Sequence, residues 1–119
     1  MKIALVGYGK MGHMIEQCAK RAGHEVVATI DTFAEDASNK VPAEDAEAVA
    51  RAVKSSGAEG VIEFTHPTSV IANVKALLPL GLPLVVGTTG WNDKHAEIAE
   101  YAQKVGGTGM TAGNFSIGV

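Results

Sequence analysis

The sequence predicts an α/β fold: a doubly wound parallel sheet of about five strands with helices on both faces. Short apolar runs rich in Val and Ile alternate, along all 119 residues, with segments whose apolar residues recur at helical spacing. The runs are nearly continuous, as in strands that are buried on both faces. Glycine, proline or polar turn residues separate the two kinds of segment. Such alternation is typical of parallel strands joined by helical crossovers.

The predicted strands are apolar runs that end at glycine or at a polar residue. They cover residues 2–6, 25–30, 60–64, 83–86 and a fifth run near 107–111. The second run is rich in Val, Thr and Ile, which favour strands. Residues 31–41 between the second strand and the next helix are polar, so they are predicted to form a loop.

Four segments have the apolar spacing of a helix. The first covers residues 10–22, with Gly23 in the position of a C-terminal cap. Pro42 suits the first turn of the second helix, residues 65–69 form a turn that can cap the third, and Asn92 can cap the fourth. The apolar stripes predicted to face the sheet are Met11, Met14, Ile15, Cys18, Ala19 and Ala22; Ala46, Val49, Ala50 and Val53; Val70, Ile71, Val74, Leu77 and Leu78; and Ile98, Ala99, Ala102 and Val105.

Composition argues against several functions. The net charge of −3 comes with no basic stripe, which argues against a nucleic acid or an anionic membrane as partner. No apolar run approaches the roughly 18 residues that span a bilayer, and the N-terminal run is too short for a signal peptide. Cys18 is the only cysteine, so no internal disulfide forms. It is predicted to be a buried apolar side chain, and a cytoplasmic location fits.

A glycine loop follows the first strand and opens the first helix. Its sequence fits G-x-G-x-x-G, and its residues are Gly7, Tyr8, Gly9, Lys10, Met11 and Gly12. In this context the first glycine permits the tight turn, the second lets the backbone approach a pyrophosphate, and the third allows close helix–strand packing. The pattern predicts a dinucleotide-binding, Rossmann-type domain spanning residues 1–119. Lys10 either approaches the pyrophosphate or is a solvated residue of the first helical turn.

An acidic residue ends the second strand. Asp31 lies about 20 residues after the glycine loop, where such a carboxylate hydrogen-bonds the adenosine ribose. It would repel a 2′-phosphate, and no Arg or Lys follows before Lys40. NADH is therefore predicted to be preferred, with NADPH possible. The alternative is a solvated acidic loop residue.

Three further segments carry a family resemblance: IEFTHP at 62–67, VVGTTG at 85–90 and GNFSIGV at 113–119. In this order after the glycine loop they resemble 4-hydroxy-tetrahydrodipicolinate reductase (dihydrodipicolinate reductase), a family of lysine and diaminopimelate biosynthesis. The resemblance spans essentially the whole chain. It implies an NAD(P)H-dependent oxidoreductase that passes hydride to a dihydropyridine-type dicarboxylate and is a homotetramer as the full protein.

The resemblance also implies binding roles. Two loops would line the nicotinamide end of the cofactor, with residues Gly87, Thr88, Thr89, Ala112, Gly113, Asn114 and Phe115. Thr88 or Thr89 would also touch a substrate carboxylate, whereas Phe64 and Thr65 would flank the adenine or ribose. The residues alone leave alternatives open: the threonines can cap a local turn, and Phe115 can be an ordinary packing residue.

The chain departs from the family in several places. Glu63 stands where members often have Asp, and His13 where they often have Arg. The His-His pair, the later lysine and the Ser-Gly-Thr stretch of the substrate domain are absent, so no catalytic residue and no metal ligand is predicted in this chain. His13, His24, His66 and His95 are interpreted as structural or solvated.

We expect this cofactor half to be inactive alone. We also expect it to be marginally stable, or to self-associate through an uncovered sheet face. Two other interpretations stay open: the cofactor domain of another NAD-dependent dehydrogenase, and a non-catalytic NAD(H)-binding module.

Overall fold

The computed structural model describes residues 1–41, 45–88, 91–107, 109–111 and 116–117. Strands and helices alternate along this part of the chain. The strands are β1 (Lys2–Val6), β2 (Glu25–Asp31), β3 (Asn39–Lys40), β4 (Gly60–Glu63), β5 (Leu84–Val86), β6 (Gly109–Thr111) and β7 (Ser116–Ile117). The α-helices are α1 (Lys10–Arg21), α2 (Ala46–Ser56), α3 (Val70–Leu77) and α4 (His95–Val105), with 3₁₀ turns at Leu78–Leu80 and Asn92–Lys94.

The strands form one sheet in the order β3-β2-β1-β4-β5-β6-β7. All neighbouring pairs are parallel except β6 and β7, which are antiparallel. The order of the first six strands is that of dinucleotide-binding doubly wound sheets. The predicted fold class is therefore confirmed. The two-residue strand β3 was missed because it lies within a polar segment, where no apolar run marks it.

Side chains of alternate strand residues enter two separate cores. Ala4 and Val6 join the larger core, which also contains buried residues of α2, α3 and α4. Ile3 and Leu5 point to the other face and pack with Ala19 of α1. Helices thus cover both faces, three on one and one on the other. The chain passes from β1 to β2 in one direction along the sheet and then from β2 back across β1 to β4 in the other direction. Because both crossovers are right-handed, the helices that make them lie on opposite faces.

The prediction for α1 was wrong in part. Met11 and Met14 are 44% and 54% exposed, and Cys18 is exposed rather than buried. Ala19 is buried and Ile15 packs on the same core, as predicted, and Gly12 is also buried. In the described part of the chain, α1 has no neighbouring helix on its face of the sheet. Only a narrow stripe of its side chains therefore contacts the strands, and the apolar side chains next to that stripe face solvent.

Two helix starts also differ from the prediction. Helix α2 begins at Ala46, and the side chain of Asp45 caps it by accepting the Ala48 N–H at 2.9 Å; Pro42 lies outside the described residues. Helix α4 begins at His95 after a 3₁₀ turn that starts at Asn92, so Asn92 does not occupy its cap position. In the described part of the chain, no helix has the length and apolar character needed to cross a membrane.

One apolar strand residue lies beyond the cover of α1. Val85 of β5 is 41% exposed, and its neighbour in register is Ile62 of β4, which packs with the α1 core. That this domain self-associates through an uncovered sheet face stays a prediction.

Candidate functional site

A cavity of about 270 Å³ lies at the carboxyl ends of β1, β2 and β4. Strand β1 is flanked by β2 on one side and β4 on the other, so the connections that leave β1 and β2 diverge here. Doubly wound sheets bind ligands in the crevice formed at such a point. The residues that line the cavity are Val6, Gly7, Gly9, Lys10, Met11, Gly12, Ile30, Asp31, Thr32, Phe33, Val41, Val49, Phe64, Thr65, His66, Ser69 and Asn73.

The glycine loop makes close backbone contacts at its first and third glycines. Gly7 has a φ of 102°, which favours glycine, and a Cβ there would collide with the carbonyl oxygen of Phe64. A Cβ on Gly12 would lie 2.6 Å from the carbonyl oxygen of Gly7. The close packing of the loop on itself and on the end of β4 therefore explains why positions 7 and 12 require glycine.

The second glycine is different because it borders open space. A Cβ on Gly9 would have no heavy atom within 4 Å. Gly9 is also the N-cap residue of α1; no side chain caps this helix, and its first turn has no acidic residue. Lys10, Met11 and Gly12 in that turn line the cavity. An uncapped helix N-terminus beside an open space is suited to an anionic group such as a phosphate.

Asp31 joins the end of β2 to the glycine loop. Its Oδ2 accepts the N–H of Tyr8 at 2.7 Å, and its Oδ1 accepts the N–H groups of Thr32 at 2.6 Å and Phe33 at 3.1 Å. An ionised carboxylate has about four acceptor positions, so roughly one remains for a ligand hydroxyl. Asp31 thus has a structural role in addition to any contact with a ribose.

The side chains of Tyr8 and His13 are in contact beside the glycine loop, and Tyr8 is buried in the smaller of the two cores. Their rings stack with centroids 3.9 Å apart, and the Tyr8 hydroxyl donates to Glu16 at 2.6 Å. That hydrogen bond and burial raise the pKa of Tyr8 to about 12. The His13 ring lies 2.6 Å from the Asp36 carboxylate and 2.8 Å from the Gly9 carbonyl oxygen. Both contacts raise the pKa of His13, that with Asp36 more strongly, because each ring nitrogen faces an acceptor.

The loop after β5 packs directly on the end of β4. A Cβ on Gly87 would collide with the ring of Phe64, and the Gly87 N–H donates to the carbonyl oxygen of Glu63 at 2.7 Å. The Thr88 hydroxyl donates to the Glu63 carboxylate at 2.6 Å and accepts the Thr65 N–H at 2.7 Å. Burial raises the pKa of Glu63, and hydrogen bonds from Thr65, Thr88 and Asn73 offset part of this effect.

The structure therefore brings together most of the residues predicted to bind a cofactor. Those that line the cavity are Gly7, Gly9, Lys10, Met11, Gly12, Asp31, Phe64 and Thr65. Tyr8 contributes its backbone N–H to Asp31 while its ring packs on His13, and Gly87 and Thr88 adjoin the cavity through Phe64 and Thr65. The predictions for Thr89, Ala112, Gly113, Asn114 and Phe115 fall outside the described residues.

Nine of the residues that line the cavity were not predicted from the sequence to bind a cofactor. Phe33, His66 and Asn73 are among them, and Phe33 is 78% exposed. The first two follow the ends of β2 and β4, which is a usable signal, because ligands bind at those ends. Asn73 lies within α3, and no local pattern marks it. No group of three or more His, Cys, Asp or Glu residues in the described part of the chain is arranged to hold a metal.

Comparison with known families agrees with this geometry. The family described as "Dihydrodipicolinate reductase, N-terminus" matches residues 1–115. The chain belongs to this family. Proteins named 4-hydroxy-tetrahydrodipicolinate reductase from Christiangramia forsetii and Cupriavidus necator are each 34% identical, over 119 and 129 residues, and the match covers 100% of this chain in both cases. The protein of that name from Staphylococcus carnosus is 36% identical over 111 residues, which is 88% of this chain.

The matches cover only part of the relatives. The aligned segment is 44%, 48% and 40% of those three proteins, so the chain spans less than half the length of the curated relatives it matches. The family resemblance inferred from the sequence is confirmed, and the part that matches is the N-terminal one.

Proposed function

We propose that this chain is the cofactor-binding domain of an NAD(P)H-dependent 4-hydroxy-tetrahydrodipicolinate reductase of lysine and diaminopimelate biosynthesis. In the complete enzyme, hydride passes from the nicotinamide to a dihydropyridine-type dicarboxylate. The substrate clamp and proton donor belong to sequence outside residues 1–119. The complete enzyme is proposed to be a cytoplasmic homotetramer, and this domain alone is expected to bind cofactor without turnover.

The single observation that carries the proposal is the juxtaposition around the cavity. The open space at Gly9, the uncapped N-terminus of α1 and the carboxylate of Asp31 all border one crevice at the ends of β1 and β2. A dinucleotide has a pyrophosphate and, a few ångströms away, a diol-bearing ribose. The helix N-terminus suits the first and the carboxylate suits the second.

The proposed positions of the adenine and the nicotinamide follow from those of the pyrophosphate and the ribose, because the parts of the cofactor are covalently connected. The adenine is expected near the exposed ring of Phe33, and the nicotinamide near Gly87 and Thr88, on the other side of the pyrophosphate site. The absence of a side chain at Gly87 lets the loop lie against the ring of Phe64, and Thr88 is buried, which suits a fixed part of a binding site.

The charges beyond β2 support the proposed preference for NADH over NADPH. Asp31, Glu35 and Asp36 are acidic, whereas Lys40 of the same segment is paired with Glu35 at 3.2 Å. A 2′-phosphate beside Asp31 would meet net negative charge. Two negative charges about 4 Å apart repel by roughly 1–4 kcal/mol near a protein surface.

Calorimetric titration of the chain with NADH and with NADPH tests the proposal. We expect saturable binding of both, with NADH tighter. Absence of binding by a folded chain would refute the cofactor role. The variant Asp31→Asn removes the charge and also replaces one oxygen that accepts backbone N–H groups by an NH2 donor, so the affinity for both cofactors should fall. The ratio of the two dissociation constants isolates the effect of the charge and should move toward one; an unchanged ratio would show that Asp31 does not set the preference.

A further inference from the structure

A buried carboxylate lies directly beneath the site. The side chain of Glu63, at the end of β4, has no exposed surface. The buried polar or charged side chains in the described part of the chain are Thr29, Glu63, Asn73 and Thr88, and the last three are hydrogen-bonded together. Burial of a carboxyl is costly unless its oxygens are well satisfied, so this cluster needs a physical explanation.

Three segments of the chain donate to this one carboxylate. Its Oε1 accepts the Thr88 hydroxyl at 2.6 Å, from the loop after β5. Its Oε2 accepts the Thr65 hydroxyl, from the turn after β4, and the Asn73 side-chain amide at 3.2 Å, from α3. Glu63 therefore connects two cavity-lining residues, Thr65 and Asn73, to a loop that belongs to the neighbouring strand.

The direction of the hydrogen bonds at Thr88 is determined. Its hydroxyl oxygen accepts the Thr65 N–H at 2.7 Å, so the hydroxyl proton is available for Glu63. Its carbonyl oxygen accepts the indole N–H of Trp91 at 2.7 Å. The hydroxyl and the carbonyl of Thr88 are thus both anchored. An acceptor-only carboxylate matches this arrangement, whereas an amide in its place would turn one acceptor into a donor.

We infer that Glu63 is a positioning residue for the nicotinamide end of the cofactor, because it holds the loop at Thr88 against β4 while the rest of the cofactor is bound by other elements. The inference rests on the proposed cofactor role. The glycine loop and the end of β2, which are proposed to bind the pyrophosphate and the adenosine, do not hydrogen-bond to Glu63. Glu63 reaches their cavity only indirectly, by accepting from Thr65 and Asn73, whereas it holds Thr88 at the nicotinamide end directly. Loss of this carboxylate should therefore weaken contacts at the nicotinamide end more than contacts at the adenosine end.

The test compares NADH with ADP-ribose, which has the adenine, both riboses and the pyrophosphate but no nicotinamide. The ratio of the two dissociation constants measures what the nicotinamide contributes. Glu63→Gln is expected to weaken the binding of NADH about tenfold and the binding of ADP-ribose less than about twofold. A tenfold loss is the size expected when a hydrogen-bonded part of a binding site is displaced. Thr88→Val should behave in the same way, Thr88→Ser should keep the original ratio, and combining Glu63→Gln with Thr88→Val should cause no further loss.

Thr29→Val is the matched control. Thr29 is also a buried hydroxyl that accepts a backbone N–H, that of Ser38 at 2.8 Å, but it lies on β2 away from this cluster. Its replacement should lower the melting temperature and leave the NADH to ADP-ribose ratio unchanged. If Glu63 has only a structural role, Glu63→Gln should likewise lower the melting temperature and leave the NADH to ADP-ribose ratio unchanged.

The outcomes separate the two proposals. Binding of neither ligand by the unsubstituted chain would refute the cofactor role and this inference with it. Normal NADH binding with an unchanged ratio in Glu63→Gln, an equal loss of both ligands, or a ratio near one in the unsubstituted chain would overturn the inference alone. If Glu63→Gln does not fold, the Thr88 pair decides. A ratio of the NADH to the ADP-ribose dissociation constant that rises in Thr88→Val and is kept in Thr88→Ser supports the inference, and the same ratio in both variants overturns it.

Discussion

Substitution of Gly9 by Ala separates the binding function of the glycine loop from its structural function. The new Cβ would have no heavy atom within 4 Å, and the backbone at Gly9 is extended, with φ −81° and ψ −157°. L-amino acids adopt this conformation readily. The remaining cost is that Ala is a poorer N-cap residue than Gly, so the free energy of unfolding should fall by no more than about 1 kcal/mol.

The effect on binding should be much larger. The methyl group would occupy the space in which the pyrophosphate approaches the N-terminus of α1. Displacement of a phosphate oxygen from one backbone N–H removes a hydrogen bond to a charged group, worth about 1.5–3 kcal/mol. This corresponds to a weakening of NADH binding by roughly 10- to 150-fold.

Gly12→Ala provides the matched comparison, because the same methyl group is added three residues later. Its Cβ would lie 2.6 Å from the backbone oxygen of Gly7, and a backbone atom cannot move aside as a flexible side chain can. Overpacking of this kind costs about 1–3 kcal/mol, partly offset by the higher helix propensity of alanine. We expect a melting temperature lower by several degrees, with a binding loss that follows from the altered loop.

Calorimetric titration with NADH and thermal unfolding by circular dichroism measure the two quantities for each variant. The reasoning requires that Gly9→Ala lose affinity while its melting temperature falls less than that of Gly12→Ala. Normal affinity in Gly9→Ala would show that the pyrophosphate does not approach this residue. A greater loss of stability in Gly9→Ala than in Gly12→Ala would contradict the packing argument itself.

Three further predictions concern stability and are tested by urea unfolding. Because burial raises the pKa of Glu63, the folded chain binds a proton there more tightly than the unfolded chain. The stability that this proton contributes is fully present below the unfolded pKa of ~4.5 and is lost as pH rises through the raised pKa of the folded chain; Glu63→Gln should flatten this part of the profile, and parallel profiles would contradict the assignment. Leu77→Ala, at a position 2% exposed in the larger core, should cost about 2–5 kcal/mol, and a cost below 1 kcal/mol would mean that the core relaxes around it. Asp45→Ala should cost about 1 kcal/mol through loss of the cap on the Ala48 N–H, whereas Asp45→Asn should retain most of it.

The strands were predictable because their signals are local. Apolar runs bounded by glycine and polar residues located all five longer strands to within one or two residues. The glycine loop and Asp31 were found by spacing, which the geometry of a β–α–β unit imposes on the sequence. Both features border the cavity.

The failures concern residues whose environment is set by distant parts of the chain. Cys18 and Met14 have the helical spacing of buried residues, yet they face solvent because nothing in the described chain packs over that side of α1. Asn92 is a good capping residue by type, but the chain makes a 3₁₀ turn before α4 begins. A periodic pattern identifies a helix without saying which part of its apolar arc another element will cover.

The sequence by itself determined the class of fold, the order of its elements and the position of the phosphate loop, because each depends on neighbours along the chain. Only the tertiary structure decided that Asp31 anchors the loop through Tyr8 and that Glu63 holds Thr88, 25 residues away. Parallel strands bring such residues together at one edge of the sheet, and the hydrogen bonds they then form depend on strand order. No local pattern encodes that order, because it follows from how the helices pack on the two faces.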